Sequence, residues 1–220
     1  MTSAAFFRAE GTLVSQSAIA TAAWMAANGY GLSPRLARLG NVALAAPLAL
    51  AGELASGATA TRMTWMGLRG MSEDRLAVLA EEYFEELLEP SIKELGRELL
   101  NKARAEGRRI ILISDSIEQV ARHLADHLGV DDLICNRLEL RKGKASGRLE
   151  DPVVGGNVAG QFARAFAEEE GIDLALSWAY GAQGSDALLL SAIGQPCAVD
   201  PDWQLRRLAR DHHWPVLEAR

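Results

Sequence analysis

The sequence is poor in cysteine, with only Cys135 and Cys197 in 220 residues. Two thiols so far apart give no disulfide framework and read as reduced core residues of a cytoplasmic protein. There are four histidines. His123 and His127 lie one helical turn apart, but no third ligand follows them, so they read as solvated helix residues, not a zinc site. Long apolar runs are also missing. The uncharged stretch Val42–Gly52 is too short to span a bilayer, which needs about 20 residues. It reads as a buried helix. An exposed apolar face for a partner or a membrane surface, extended by Trp65, Met66, Leu68 and Met71, stays open as the sharper alternative. An excess of positive charge is lacking too: net charge is -6 and the pI about 5.3, against a general nucleic-acid binder. No basic region precedes the short apolar N-terminal stretch, as a signal peptide would require.

What is present is the composition of a soluble globular protein, 49% apolar and 24% charged. Residues 4–9 and 109–114 read as buried strands. Residues 16–101 read as a helical insert, with helices at Ser17–Asn28, after Ser33-Pro34, from Arg75 to Leu88 and from Ser91 to Ala105. Beyond it, helices at Glu118–Leu128, Gly160–Glu170, Asp186–Ile193 and Asp202–His212 alternate with strands at Asp132–Cys135, Asp173–Tyr180 and Cys197–Val199. Arg137–Leu140 and Ala145–Leu149 read as the two arms of a hairpin. This alternation predicts an α/β fold with a parallel sheet and right-handed crossovers. Ligands of such sheets bind beyond the carboxyl ends of the strands. The predicted division is a core of residues 1–15 and 102–220 with a cap of residues 16–101.

Four short segments carry polar residues after strands: Arg8-Ala9-Glu10-Gly11-Thr12, Ser114-Asp115-Ser116, Gly155-Gly156-Asn157-Val158, and Gly181-Ala182-Gln183-Gly184-Ser185-Asp186. In order and context they resemble the four motifs of the haloacid dehalogenase superfamily, in its phosphoserine-phosphatase-like branch. The resemblance covers nearly the whole chain. It implies a Rossmann-like core with an inserted helical cap, a nucleophilic aspartate, a second aspartate as general acid/base, a phosphate-binding serine, a lysine and a magnesium ion. The matching positions hold Arg8, Glu10, Ser114, Asn157, Ala182 and Asp186. Ser114 and Asp186 keep their identity, while the nucleophile position carries Arg8.

A guanidinium stays protonated and cannot attack phosphorus. With Ala182 as well, two expected carboxylates are gone, so loss of magnesium is predicted and no cofactor is expected. Arg8 is expected to pair with Asp186 or Glu10. The implied site therefore has no intact catalytic set. Its expected ligand-binding residues are Arg8, Glu10, Ser114, Asp115, Asn157, Gln183 and Asp186. The expected function is that of a catalytically inactive pseudophosphatase, which binds an anionic or phosphorylated small molecule or a protein partner through the cap. Two alternatives stand beside it. One is an active phosphomonoester hydrolase with altered chemistry, in phospholipid metabolism by family analogy. The other is a structural or assembly protein whose old pocket is filled by side chains.

Overall fold

The computed structural model describes residues 2–29 and 57–219. Strand β1 (Ala4–Arg8) is buried at all five positions. A strand covered on both faces belongs in the middle of a parallel sheet. There it pairs in parallel with β2 (Arg109–Ile117) on one side and β6 (Trp178–Gly181) on the other. Strand β3 (Asp132–Asn136) adds outside β2; β7 (Gln195–Val199) and β8 (Val216–Leu217) add beyond β6. The order is β3-β2-β1-β6-β7-β8, all parallel. Helices α5 (Glu118–Leu128), α6 (Ala159–Glu170), α7 (Ala187–Ala192) and α8 (Trp203–Asp211) make the later crossovers. Gly129 and Gly171 end α5 and α6 in the left-handed conformation, at φ 61° and 66°, where a side chain would be strained. A hairpin of β4 (Leu138–Arg141) and β5 (Lys144–Leu149) turns through Lys142 and Gly143, both at positive φ, the geometry of a two-residue hairpin loop. No described helix is long and apolar enough to cross a membrane.

Between β1 and β2 lies the inserted helical cap. It holds α1 (Ala18–Ala27), α2 (Gly57–Thr64) and α3 (Glu73–Tyr83); α4 (Glu94–Ala105) follows and packs against β2. Ser17 and Ser72 cap α1 and α3 by accepting the amides of Ala20 and Arg75. The helix expected to run to Leu88 is α-helical only to Tyr83. Phe84–Leu88 wind as a π-turn and Glu89–Ser91 as a 3-10 turn. Pro90 lacks an amide donor and its ring crowds the preceding turn, so regular winding stops ahead of it. Of the residues expected to extend an apolar patch, Trp65, Leu68 and Met71 are buried and only Met66 is exposed. Ser33, Pro34 and the Val42–Gly52 run lie outside the described residues.

The core has two layers, one on each face of the sheet. Ala5 and Phe7 of β1 join a layer that continues into the cap through Met25, Trp65, Leu76 and Tyr83. Ala4 and Phe6 face the layer of α6, α7 and α8. Period-two alternation along one strand thus ties the cap to the sheet. Cys197 is buried, Cys135 is half-buried, and both are free thiols. Burial pushes the Cys135 thiol up to about 12.

Candidate active site

Because β1, β2 and β6 are parallel neighbours, the loops that leave their carboxyl ends meet at one edge of the sheet. The first carries Arg8 and Glu10. The second forms where pairing of β2 with β3 shifts register between Ile113 and Ile117. Such a bulge re-aims side chains, here Ser114 and Asp115. The third carries Ala182, Gln183 and Asp186. Gly11 (φ 80°) brings the first and third loops together: a methyl group on it would lie 3.1 Å from the Ala182 Cβ.

Arg8 lies at the centre, its side chain 1% exposed. Its Nε donates to Asp186 Oδ1 at 2.8 Å and its Nη2 to Asp115 Oδ1 at 2.7 Å. Among the described residues its Nη1 has no partner. Burial alone would lower the pKa of Arg8, but the negative charges of Asp115, Asp186 and Glu10 outweigh it and raise the value, so the group is a permanent cation. Asp186 is fully buried. Its other oxygen accepts the amides of Ala182 and Gln183, both at 2.9 Å. Burial pushes its carboxyl up, and Arg8 and the two amides oppose this. All three donors on its two oxygens are N–H groups, which fits the ionised form.

Glu10 takes a different set of partners. The Ser114 hydroxyl donates to Oε1 at 2.7 Å and the Asp115 amide to Oε2 at 3.2 Å. Burial and the nearby Asp115 charge raise the Glu10 carboxyl, partly offset by Arg8 and by the Ser114 bond. Glu10 and Asp115 are thus adjacent carboxyl groups in unlike settings. Both line a cleft of about 210 Å³ between core and cap, with Gln183 on the core side and Ser17, Thr61 and Thr64 on the cap side.

The structure brings together Arg8, Glu10, Ser114, Asp115, Ala182, Gln183 and Asp186. It pairs Arg8 with Asp186 and Asp115, whereas Glu10, the other expected partner, turns to Ser114. It does not bring in Asn157. That residue lies exposed on a 3-10 turn, Gly156–Val158, with no hydrogen bond among the described residues. Two contributors had no signal in the sequence. Lys93 donates from Nζ to the Gly11 carbonyl at 2.6 Å and reaches Asp200 at 3.3 Å. Asn136, at the end of β3, donates to the carbonyls of Asp115 and Val154 and accepts the Val154 amide. It thereby fixes the second loop. Only their positions at a loop joint and at a strand end mark these two residues, and neither position is visible in a linear motif.

The magnesium ion implied by the resemblance does not fit these residues. Both oxygens of Asp186 are committed, and Asp115 faces a guanidinium at 2.7 Å. A dication about 4 Å from that fixed charge would meet a repulsion on the order of 8 kcal/mol at intermediate dielectric. Among the described residues, no three His, Cys, Asp or Glu side chains are grouped to hold an ion.

Comparison with known proteins places this arrangement in context. Residues 5–191 match the family model described as haloacid dehalogenase-like hydrolase. The "Phosphoserine phosphatase" of Mycobacterium tuberculosis is 30% identical over 223 aligned residues, covering 100% of this chain and 72% of that protein. The "Inhibition of morphological differentiation protein" of Streptomyces azureus is 30% identical over 151 residues, 68% of this chain and 54% of that protein. The chain therefore spans only about half the length of that second relative. Among solved structures, a protein of unknown function from Bordetella pertussis Tohama I superposes with a TM-score of 0.85 at 24% identity, over 99% of both chains. A phosphoserine phosphatase in apo form superposes at 0.72 and 19% identity, over 100% of this chain and 95% of that one. At such identities the structures show the shared fold.

The expectation of a catalytically inactive binding protein is corrected by these relatives, since full-length similarity leads to a protein named as a phosphatase. Replacing the first motif carboxylate by Arg8 did not strip the cleft of carboxyl groups, because Glu10 and Asp115 still line it. Among the described residues, no side chain fills the cleft.

Proposed function

Because the chain belongs to the haloacid dehalogenase-like hydrolases, we propose that it is a phosphomonoester hydrolase with altered chemistry at its reaction centre. The observation that carries this proposal is the Glu10–Asp115 pair at the cleft, with the buried cation Arg8 behind it. Two carboxyl groups in unlike settings, one tucked under Ser114 and one open to the cleft, can divide acid/base and binding duties between them. Glu10, held up by burial, is the proton donor and later the base. Ser114 and the Asp115 amide orient it. Gln183 and the cap hydroxyls offer polar contacts to the alcohol portion of the ester. The volume lined by described residues suits a compact phosphorylated alcohol better than a drug-sized ligand, whose sites run from about 300 Å³ upward. The similarity to a protein named phosphoserine phosphatase supports the same class.

The test is phosphate release from O-phosphoserine, glycerol phosphate, lysophosphatidic acid and p-nitrophenyl phosphate by the purified chain. At least one compact ester should be hydrolysed, and Glu10→Gln should slow its turnover by about 100-fold or more. Absence of release from every ester, or equal turnover by Glu10→Gln, would overturn the proposal.

A further inference from the structure

We infer that Asp115 is the carboxylate that attacks phosphorus in this chain, with Arg8 as a built-in counter-cation in place of a divalent ion. The inference rests on the hydrolase proposal above and goes further, to a catalytic residue.

Three carboxyl groups touch or approach Arg8, and their surroundings separate them. Asp186 is fully buried, and both its oxygens are occupied by Arg8 and two amides. It cannot reach a ligand without dismantling the third loop. Glu10 lies deeper, with Oε1 held by the Ser114 hydroxyl at 2.7 Å; Oε2, which meets the Asp115 amide only at 3.2 Å, is the oxygen that carries its proton. Asp115 differs from both. Its side chain is 19% exposed and lines the cleft. One oxygen is held by Arg8 at 2.7 Å, and among the described residues the other accepts no hydrogen bond. One oxygen is anchored and the other is free to act, as a positioned nucleophile requires. Asn136 holds the Asp115 carbonyl at 2.9 Å, so the backbone under the nucleophile is fixed as well.

The free oxygen of Asp115 forms a bond to phosphorus as the ester P–O bond breaks. The leaving alkoxide takes the proton of the Glu10 carboxyl and departs as the alcohol. Glu10, now a carboxylate, accepts a proton from water. That water's oxygen attacks the phosphorus of the acyl phosphate. The bond to Asp115 breaks, inorganic phosphate leaves, and both carboxyl groups return to their starting states. Arg8 does not react. It is a positioning residue that holds the Asp115 carboxylate and places a positive charge beside the transferring group.

The experiment is acid quenching of the wild-type protein during turnover of p-nitrophenyl phosphate, followed by peptide mass mapping. One phosphoryl group is expected on Asp115. Asp115→Asn should lose both the phosphoenzyme and, by about 100-fold or more, the turnover. Glu10→Gln should accumulate the phosphoenzyme, because p-nitrophenolate leaves without a proton while the attacking water lacks its base. Arg8→Lys should lower kcat with KM nearly unchanged, a split that a merely structural role would not give. EDTA should leave wild-type turnover unchanged, and Mn(II) titrated into the protein should stay free by electron paramagnetic resonance. A phosphoryl group on another residue, or full turnover by a folded Asp115→Asn protein, would sink the Asp115 assignment and leave the hydrolase proposal standing. Stoichiometric Mn(II) binding, or loss of turnover in EDTA, would sink the counter-cation role. No release from any phosphomonoester would sink the inference and the proposal together. If Asp115→Asn fails to fold, the wild-type mass map still decides the matter.

Discussion

Arg8 and Arg109 each hold two carboxylates, at opposite edges of the same pair of strands. Arg109 starts β2 opposite Ala4, and Arg8 ends β1 opposite Ile113. Arg109 grips Asp132 with a fork, Nε to Oδ2 at 2.5 Å and Nη2 to Oδ1 at 2.8 Å, and reaches Glu170 from Nη1 at 2.7 Å. It also lies over the Phe166 ring, 5.3 Å from its centroid. All its nitrogens are used, and its side chain is 29% exposed. Arg8 is 1% exposed, divides itself between two aspartates from different loops, and among the described residues leaves Nη1 without a partner. The charges are alike in kind, but water screens one cluster and is shut out of the other. The outer cluster fastens a strand to a helix. The inner one is costly to desolvate and incompletely satisfied, which an economical fold would replace by apolar packing. Incomplete satisfaction at a loop edge facing a cleft fits a site kept for chemistry.

Matched substitutions test this contrast most strongly. Arg8→Met should destabilise the protein by about 3–5 kcal/mol, because it leaves Asp186 and Asp115 buried without their cation. Arg109→Met should cost about 1 kcal/mol or less. Urea unfolding of both variants checks this, and equal losses would erase the distinction.

A smaller effect is expected from pH. Glu10 binds its proton more tightly in the folded than in the unfolded chain, because burial and Asp115 raise its pKa. The folded state is therefore favoured while Glu10 is protonated. Stability is lost as pH rises from the usual glutamate range, about 4.3, through the higher folded value. Glu10→Gln should remove that decline. Melting temperatures of the two proteins across pH 4–8 would show it, and parallel curves would argue against a raised Glu10. The smallest effect is that of salt. Raising NaCl from about 0.1 to 1 M shortens the screening length from about 10 to 3 Å. That should shrink the stability difference between wild type and Arg109→Met while leaving the difference for Arg8→Met nearly intact. A loss of the Arg8 difference would mean that water reaches the inner cluster.

Much of the fold was legible because burial writes itself into composition. Phe6-Phe7 and Ile110–Ile113 are unbroken apolar runs, and β1 and β2 lie close to where those runs predict. The strand expected from Asp173 begins only at Trp178. Asp173 caps a 3-10 turn at Leu174–Leu176 through the Ala175 amide, so three apolar residues that look like a strand are wound instead. At the site, charge complementarity pointed to Asp186 as a partner for Arg8. It pointed as well to Glu10 and passed over Asp115, although both are carboxylates a few residues from a strand end. The bulge after Ile113 decided between them, turning Asp115 toward the guanidinium and its amide toward Glu10. Asn157 was chosen from a linear pattern, and a pattern of that kind carries no information about which way a 3-10 turn faces.

The sheet order has a consequence for how the chain is made. Strand β1 is synthesised first yet ends between β2 and β6. Arg8 emerges from the ribosome about a hundred residues before Asp115 and far ahead of Asp186; its contacts with them span 107 and 178 positions. At a synthesis rate of roughly 5–20 residues per second, the arginine spends many seconds without its counter-charges. Closing loops of that length is slow relative to local helix formation. The helices between β1 and β2 can therefore form before the sheet exists, while Arg8 still waits for Asp115 and Asp186 to be made.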